Sequence, residues 1–233
     1  MRSSLVIAGK EIKSYFATPS AYIILVLFTG ITGWFFTNTL FIEGGQAEMS
    51  SYFGLTPFLY MFIIPALTMR SIAEEKKTGT MEVMTTFPVS ALSIVTGKFL
   101  GAFFIVILSL FLTFPALLTI GILGKPDWGI VFTSYAGLIM MGASFTAIGI
   151  YCSAVTENQM IAFMISFFII FILMMLDSML VFLPFTLIFD YISVNSHYHN
   201  FLRGIIDTRN IVYFSSMALL FLFSAAKSIE SER

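Results

Sequence analysis

Six long apolar segments dominate the chain and leave it few possible folds. They cover about residues 20–42, 53–73, 94–123, 130–154, 160–187 and 209–228. A helix of about 20 residues, rising 1.5 Å per residue, crosses the hydrocarbon core of a bilayer. Backbone polar groups in lipid must be satisfied within the segment, which favours helices. The sequence therefore predicts an all-α membrane protein with six transmembrane helices.

The composition agrees with lipid as the solvent. Of the 233 residues, 58% are hydrophobic and 11% are charged, whereas soluble domains contain about 25% charged residues. The net charge of -1 gives no indication of nucleic-acid binding. There is no internal repeat or linker, so residues 1–233 are predicted to form a single transmembrane domain.

Two of the apolar segments are longer than a straight crossing needs. The third contains Pro115, and the fifth contains Asp177 and Pro184. Each segment is expected to tilt, to kink, or to break into a helix and a re-entrant piece. Asp177 is the one acid deep in an apolar run. It either lines a transport pathway or caps the helix that follows.

The first 18 residues predict an interfacial helix that lies on the membrane surface. Leu5, Ala8, Ile12, Tyr15 and Phe16 recur at helical spacing and would form its apolar face. Lys10, Glu11 and Lys13 belong to the polar side, which we expect to face lipid headgroups.

The distribution of basic residues predicts the orientation in the membrane. With the N-terminus in the cytoplasm, only Lys125, Arg203 and Arg209 lie outside, and every other lysine and arginine lies inside. Both termini are then cytoplasmic. The outer segment 188–208 mixes apolar and polar residues and predicts a short amphipathic helix. On that helix Arg203 and Asp207 would pair at i, i+4 or line the outer end of a pathway.

The stretch from Pro65 to Lys98 concentrates charge in a predicted cytoplasmic loop, 74–93. Glu74 and Glu75 end the second span, and Gly79 permits a sharp turn. Thr80 is predicted to cap a short helix with Glu82 in its first turn and Pro88 at its end. This helix either docks into a groove on a partner or is an ordinary solvated connection.

The same stretch, RSIAEEKKTGTMEVMTTFPVSALSIVTGK, resembles the signature of the ABC-2 type permeases. The opening KEIKSYFATPSAYI and the segment SAVTENQMIAF are similar to those proteins as well. The segment RGIIDTRNIVYFSS resembles the subgroup that includes the gliding-motility and nitrous-oxide-reductase-maturation permeases. The resemblance covers nearly the whole chain.

The resemblance implies a transmembrane subunit of an ATP-binding-cassette exporter in a bacterial inner membrane. Two permease subunits, identical or paralogous, would pair with two separate ATPase subunits that bind ATP and magnesium. The coupling region would comprise Glu74, Glu75, Gly79, Thr80, Glu82 and Pro88, with Lys10, Glu11 and Lys13 on the interfacial helix. Short re-entrant helices would follow the fifth span at the outer side.

Residue motifs for other functions are missing from the sequence. There is no GxxxxGK[ST] phosphate loop, no HExxH and no CxxC. We therefore expect no enzymatic activity and no cofactor on this chain. A membrane-embedded lipid-modifying enzyme would need clustered polar groups at one depth, and Asp177 is alone. A self-contained channel or carrier would need polar residues within the spans or repeated broken helices.

Overall fold

The computed structural model describes residues 2–38, 50–82, 89–124, 126–179 and 191–231. Within these ranges all regular structure is helical. The helices are α1 (Arg2–Ala17), α2 (Pro19–Thr37), α3 (Ser50–Thr68), α4 (Ala73–Lys77), α5 (Ala91–Phe111), α6 (Phe114–Leu123), α7 (Trp128–Val155), α8 (Gln159–Met179), α9 (Val194–Leu202) and α10 (Thr208–Glu230). Among the described residues, six stretches are long and apolar enough to cross a membrane. The predicted fold class is confirmed.

The third apolar segment is broken into two helices. α5 ends at Phe111, and α6 begins at Phe114 with Pro115 in its first turn. Proline is tolerated there because a first-turn N–H has no partner within the helix. The helix of this segment is therefore interrupted at residues 112–113, within one stretch that is long and apolar enough to span a membrane.

A small polar network lies at this break. The Thr113 hydroxyl donates to the Leu110 carbonyl at 2.6 Å. It accepts from the Tyr52 hydroxyl at 3.3 Å and lies 2.9 Å from the Tyr135 hydroxyl. The network therefore ties α3 and α7 to the junction between α5 and α6.

The charged run after the second span is helical, whereas the sequence predicted a loop over 74–93. α3 ends at Thr68, and α4 follows after one turn of chain. Its two glutamates lie in the first turn and its two lysines in the last, which is the favourable sense for the helix dipole. The connection to α5 is thus 78–90, of which 83–88 lie outside the described residues.

α7 lies at the centre of the bundle. It packs against α3, α5, α8, α9 and α10. Glycines allow close approach of the neighbours: a Cβ at Gly142 would lie 2.9 Å from Val106, and one at Gly137 would lie 2.8 Å from Phe201. Membrane helices gain van der Waals contact by packing through such small residues. α7 therefore fixes where α3, α5, α8 and α10 lie.

The bundle has two polar ends, which we call the α4 end and the α9 end. At the α4 end, the Ser228 hydroxyl of α10 donates to the Ala154 carbonyl of α7 at 3.3 Å. At the α9 end, the Tyr198 hydroxyl of α9 donates to the Phe53 carbonyl of α3 at 3.0 Å. The spans α2, α3, α5, α7, α8 and α10 alternate in direction between these ends.

The predicted outer segment contains a short helix, α9, but its extent differs from the expectation. α9 ends before Arg203, and Gly204 adopts a φ of +79°. Asp207 caps α10 by accepting from the Arg209 backbone N–H at 2.9 Å. The prediction that Arg203 and Asp207 pair at i, i+4 on one helix is therefore wrong, because no single helix spans the two residues.

Candidate functional site

The site at the α4 end begins with the contact between α1 and α5. The sequence of α5 contains Gly97 and Gly101 at a spacing of four, which places both on one face. A Cβ at Gly97 would lie 2.7 Å from the Ile7 Cβ, and one at Gly101 would lie 2.6 Å from the Glu11 Cβ. α1 therefore packs directly on the backbone of α5, in a groove that only glycine leaves open.

This packing corrects the predicted apolar face of α1. Ala8 is buried as expected, but Leu5 is 65% exposed. The glycine face of α5 receives Ile7 and Glu11, and this rotation turns Leu5 outward. Exposed leucine near a membrane surface is consistent with contact to lipid.

A buried lysine connects three elements at this contact. The Lys98 side chain is 0% exposed, and its Nζ lies 2.7 Å from Glu11 Oε1 on α1 and 2.8 Å from Glu75 Oε2 on α4. Nζ also donates to the Ser71 carbonyl at 2.6 Å, in the turn between α3 and α4. One ammonium group thus holds α1, α4 and the end of α3 against α5.

The electrostatics explain why this cluster holds together. Removing a lone ammonium from water costs several kcal/mol, so a buried lysine needs acceptors with good geometry. The Lys98 ammonium donates hydrogen bonds to Glu11 and to the Ser71 carbonyl. Glu75 adds a second negative charge as an ion pair, although its Oε2 accepts no hydrogen bond among the described residues. Glu11 and Glu75 are 13% and 20% exposed at their side chains, so part of their charge is still solvated.

α4 is also attached to α7 through backbone groups. The Ser153 hydroxyl accepts from the backbone N–H groups of Ile72 and Ala73, both at 3.0 Å. It donates in turn to the Met69 carbonyl at 3.1 Å. The Lys76 ammonium donates to the Ala154 carbonyl. One serine of α7 therefore satisfies the first N–H groups of a helix too short to cap itself.

Tyr15 holds the far end of α1 to the same region. Its hydroxyl donates to the Leu67 carbonyl of α3 at 3.2 Å. Burial, with a smaller contribution from the nearby Glu11 carboxylate, raises the pKa of Tyr15 above its usual value. The phenol therefore stays a neutral donor.

A polar cleft of about 410 Å³ opens between α1 and α4. Its lining side chains carry a charge of either sign or a hydroxyl group. They are Lys10, Glu11, Ser14, Tyr15, Thr18, Ser20, Arg70, Ser71, Glu74, Glu75, Thr78 and Thr80. A cleft of this composition suits charged and hydrogen-bonding side chains of a partner protein.

The structure brings most of the predicted coupling residues to this end. Glu74 is exposed on the cleft, whereas Glu75 turns inward to Lys98. Gly79 makes the predicted turn, with a φ of +73°. Thr80 is itself helical, and its hydroxyl donates to the Glu75 carbonyl at 3.2 Å. The predicted cap at Thr80 is therefore wrong.

The other predicted site residues are divided between the two ends. Lys10 lines the cleft, and Lys13 is exposed on α1. Arg203 and Asp207 lie at the α9 end. Asp177 lies in α8, and its side chain falls outside the described part of the chain. The remaining residues predicted for the coupling region are Glu82, which is exposed, and Pro88, which lies outside the described residues.

Sequence reasoning missed the partners of Lys98 and the role of Ser153. The signal for the first was present, since Gly97-Lys98-Phe99-Leu100-Gly101 is a GxxxG pattern that carries a lysine inside an apolar run. Such a pattern indicates close helix packing, and the lysine indicates a buried acidic partner. Ser153 had no comparable signal, because a serine in an apolar helix is common.

Comparison with protein families identifies the family of the chain's central and C-terminal parts. Residues 37–226 match the protein family described as "ABC-2 family transporter protein". The matched region runs from the end of α2 into the last turns of α10 and includes α4 and Lys98. No curated protein matches the chain.

Proposed function

Because the chain belongs to the ABC-2 family of transporter proteins, we propose that it is the permease subunit of an ATP-binding-cassette exporter. Two such subunits, identical or paralogous, enclose the pathway, and separate ATPase subunits bind ATP and magnesium. The family in general works with an ATP-binding-cassette ATPase, and the chain is a multi-pass membrane protein. Export, and the gliding-motility and nitrous-oxide-reductase-maturation subgroup, are proposed from the resemblance alone.

The observation that carries the proposal is the polar cleft between α1 and α4. It gathers charged side chains from both elements at one end of a bundle whose spans are apolar. Exposed Glu74 lines the cleft, and exposed Glu82 lies two residues beyond Thr80, which also lines it. A soluble ATPase meets a permease at such a surface, because the charged side chains give specificity and steer association.

We place the α4 end in the cytoplasm of a bacterial inner membrane, with both termini inside. The basic residues support this orientation, since lysines and arginines concentrate on the cytoplasmic side of membrane proteins. Among the described residues, Arg203 and Arg209 lie at the α9 end. The α4 end carries Lys10, Lys13, Arg70, Lys76, Lys77, Lys98 and Lys227. Lipid surrounds the exposed apolar faces of α2 and α8.

The mechanism we propose is mechanical and involves no chemistry on this chain. ATP-driven closure of the ATPase subunits pushes on α1 and on the coupling region at α4. The first, second and fifth spans (α2, α3 and α8) then tilt and change access to the pathway between the two permeases, which is a rigid-body form of gating.

The test uses the complex purified from membranes of the source cells in lipid nanodiscs. We expect a soluble protein with a phosphate loop to co-purify, and its ATP hydrolysis to depend on the permease. Glu82→Lys and Gly79→Trp should leave the chain inserted but reduce that dependence by about fivefold or more. Glu230→Lys, an exposed acid on α10 at the same end, is the control. Unchanged partner binding and activity in both variants would refute the coupling role.

A further inference from the structure

α4 and α5 are connected in two ways, along the chain and through a direct side-chain contact at Lys98. Along the chain, α4 and α5 are separated by the connection 78–90. In space, Glu75 of α4 contacts Lys98 of α5 directly, with Nζ and Oε2 2.8 Å apart. A motion applied to α4 can therefore reach the third span without passing through that connection.

The strength of this contact comes from burial. Separating Glu75 from Lys98 by a few ångströms leaves a fully buried ammonium with only Glu11 and the Ser71 carbonyl. Interactions between charges are stronger in a low dielectric than in water, and breaking one side of a buried pair is strongly unfavourable. α4 and the start of α5 are therefore expected to move together rather than slide past each other.

The glycine contact extends this unit to α1. Glu11 is both the second carboxylate on Lys98 and the residue that packs on Gly101. The Cβ of Ile7 packs one turn away on Gly97. The two surfaces of the cleft, α1 and α4, are thus both fastened to α5.

We propose that Lys98 is a positioning residue that transmits motion of α1 and α4 into the third span, so that α5 acts as the lever of the gate. The proposal rests on the proposed function, since it needs an ATPase that moves α4. It differs from gating through the first, second and fifth spans alone, in which α5 would stay still.

α4 has a second attachment, to α7, and this contact is the alternative route by which motion of α4 would reach the bundle. Ser153 of α7 holds the backbone of Ile72 and Ala73. α7 is the most buried span of the described chain, so it is poorly placed to move. We infer that Ser153 acts as the pivot of α4 and that Lys98 carries its displacement.

The experiment measures the displacement of α5 in the intact complex. Spin labels are placed at Phe104 on α5 and Leu220 on α10, which are both exposed, while Cys152 is buried and stays in place. The distance between labels is compared without nucleotide and with ATP and vanadate. The variants are Lys98→Met and Glu75→Gln. The control is Lys227→Met, which removes an exposed lysine at the same end.

We expect a nucleotide-dependent change of distance in the unsubstituted complex and in the control. Lys98→Met, at a residue that does not line the cleft, should still bind the ATPase. In both variants the fraction of ATPase-bound complexes that shift should fall by about fivefold or more. Glu75→Gln guards against misfolding, because Lys98 keeps a neutralising partner in Glu11. A purely structural lysine would lower thermal stability without changing the shift in the molecules that stay folded.

Three outcomes would overturn the proposal. The label on α5 could stay still in the unsubstituted complex, or it could shift fully in Lys98→Met and Glu75→Gln. Alternatively, neither variant could fold, which would assign Lys98 to stability alone. Absence of any co-purifying ATPase would remove the proposed function together with this inference. An ATPase that binds while α5 stays still would remove this inference only.

Discussion

The groove that receives α1 on α5 leads to a prediction whose sign depends on two opposing effects. Replacing Gly97 by alanine adds a methyl group 2.7 Å from the Cβ of Ile7 and 2.9 Å from the Ser4 carbonyl oxygen. Carbon atoms pack best at about 3.5–4.0 Å, and neither partner atom is the end of a flexible side chain. α1 must therefore shift outward, and Glu11 moves away from Lys98 with it.

The magnitude follows from comparison with a glycine that has free space. Gly9 lies inside α1, and a Cβ built there meets nothing within 4 Å. Gly9→Ala should gain about 0.8–1.0 kcal/mol from helix propensity. Gly97→Ala gains the same amount but loses about 1–3 kcal/mol to overpacking. The difference between the variants is therefore about 1–3 kcal/mol, or about 2–4 °C in Tm per kcal/mol for a chain of this size.

Thermal unfolding of the two purified variants in one detergent measures this difference. Gly97→Ala should melt below the unsubstituted protein, and Gly9→Ala at or above it. Gly101→Ala should behave like Gly97→Ala, because its Cβ would lie 2.6 Å from the Glu11 Cβ. If Gly97→Ala melts as high as Gly9→Ala, α1 does not pack on α5 as described.

Three further predictions test other parts of the structure. Ser153→Ala should lower the free energy of unfolding by about 1–3 kcal/mol, because it leaves buried N–H groups without an acceptor. Ser224→Ala, which removes only an exposed hydrogen bond within α10, should cost less in the same melting assay. Thr113→Val should also destabilise by about 1–3 kcal/mol, since the Tyr52 and Tyr135 hydroxyls each lose a hydrogen-bond partner, and thermal unfolding would again report it. A cysteine at 126 should react with an impermeant maleimide on intact cells, and one at Lys77 only after permeabilisation. The reverse labelling pattern would overturn the proposed orientation.

The number and class of the spans could be predicted because hydropathy and length act locally. Each apolar run has to be helical in lipid whatever surrounds it. An irregularity near Pro115 could be predicted for the same reason, since proline acts on its own helix, but its form could not. The helix α4 was harder to predict, because its five residues, AEEKK, cannot form a stable helix in isolation. α4 exists because Ser153, far along the chain, satisfies its first N–H groups.

The candidate site needed information that no single segment contains. Glu11 and Lys98 are 87 residues apart, and their contact depends on how α1 rotates on α5. Helical periodicity placed Leu5 on the packed face, whereas the glycine groove selects Ile7 and Glu11. The charges of Glu74 and Glu75 look equivalent in the sequence. Only the fold separates Glu74 on the cleft from Glu75 at Lys98.

The order of Glu11, Glu75 and Lys98 along the chain has a consequence for biogenesis. A ribosome makes both carboxylates before it makes the lysine, and the third span is inserted only after Lys98 has emerged. The groups that neutralise the ammonium are therefore already at the membrane when the apolar helix carrying it is released from the insertion machinery. A chain with its first 18 residues removed would still insert its six spans. In that chain Lys98 would have Glu75 as its carboxylate partner but not Glu11. We expect cellular quality control to recognise the poorly neutralised lysine in the third span.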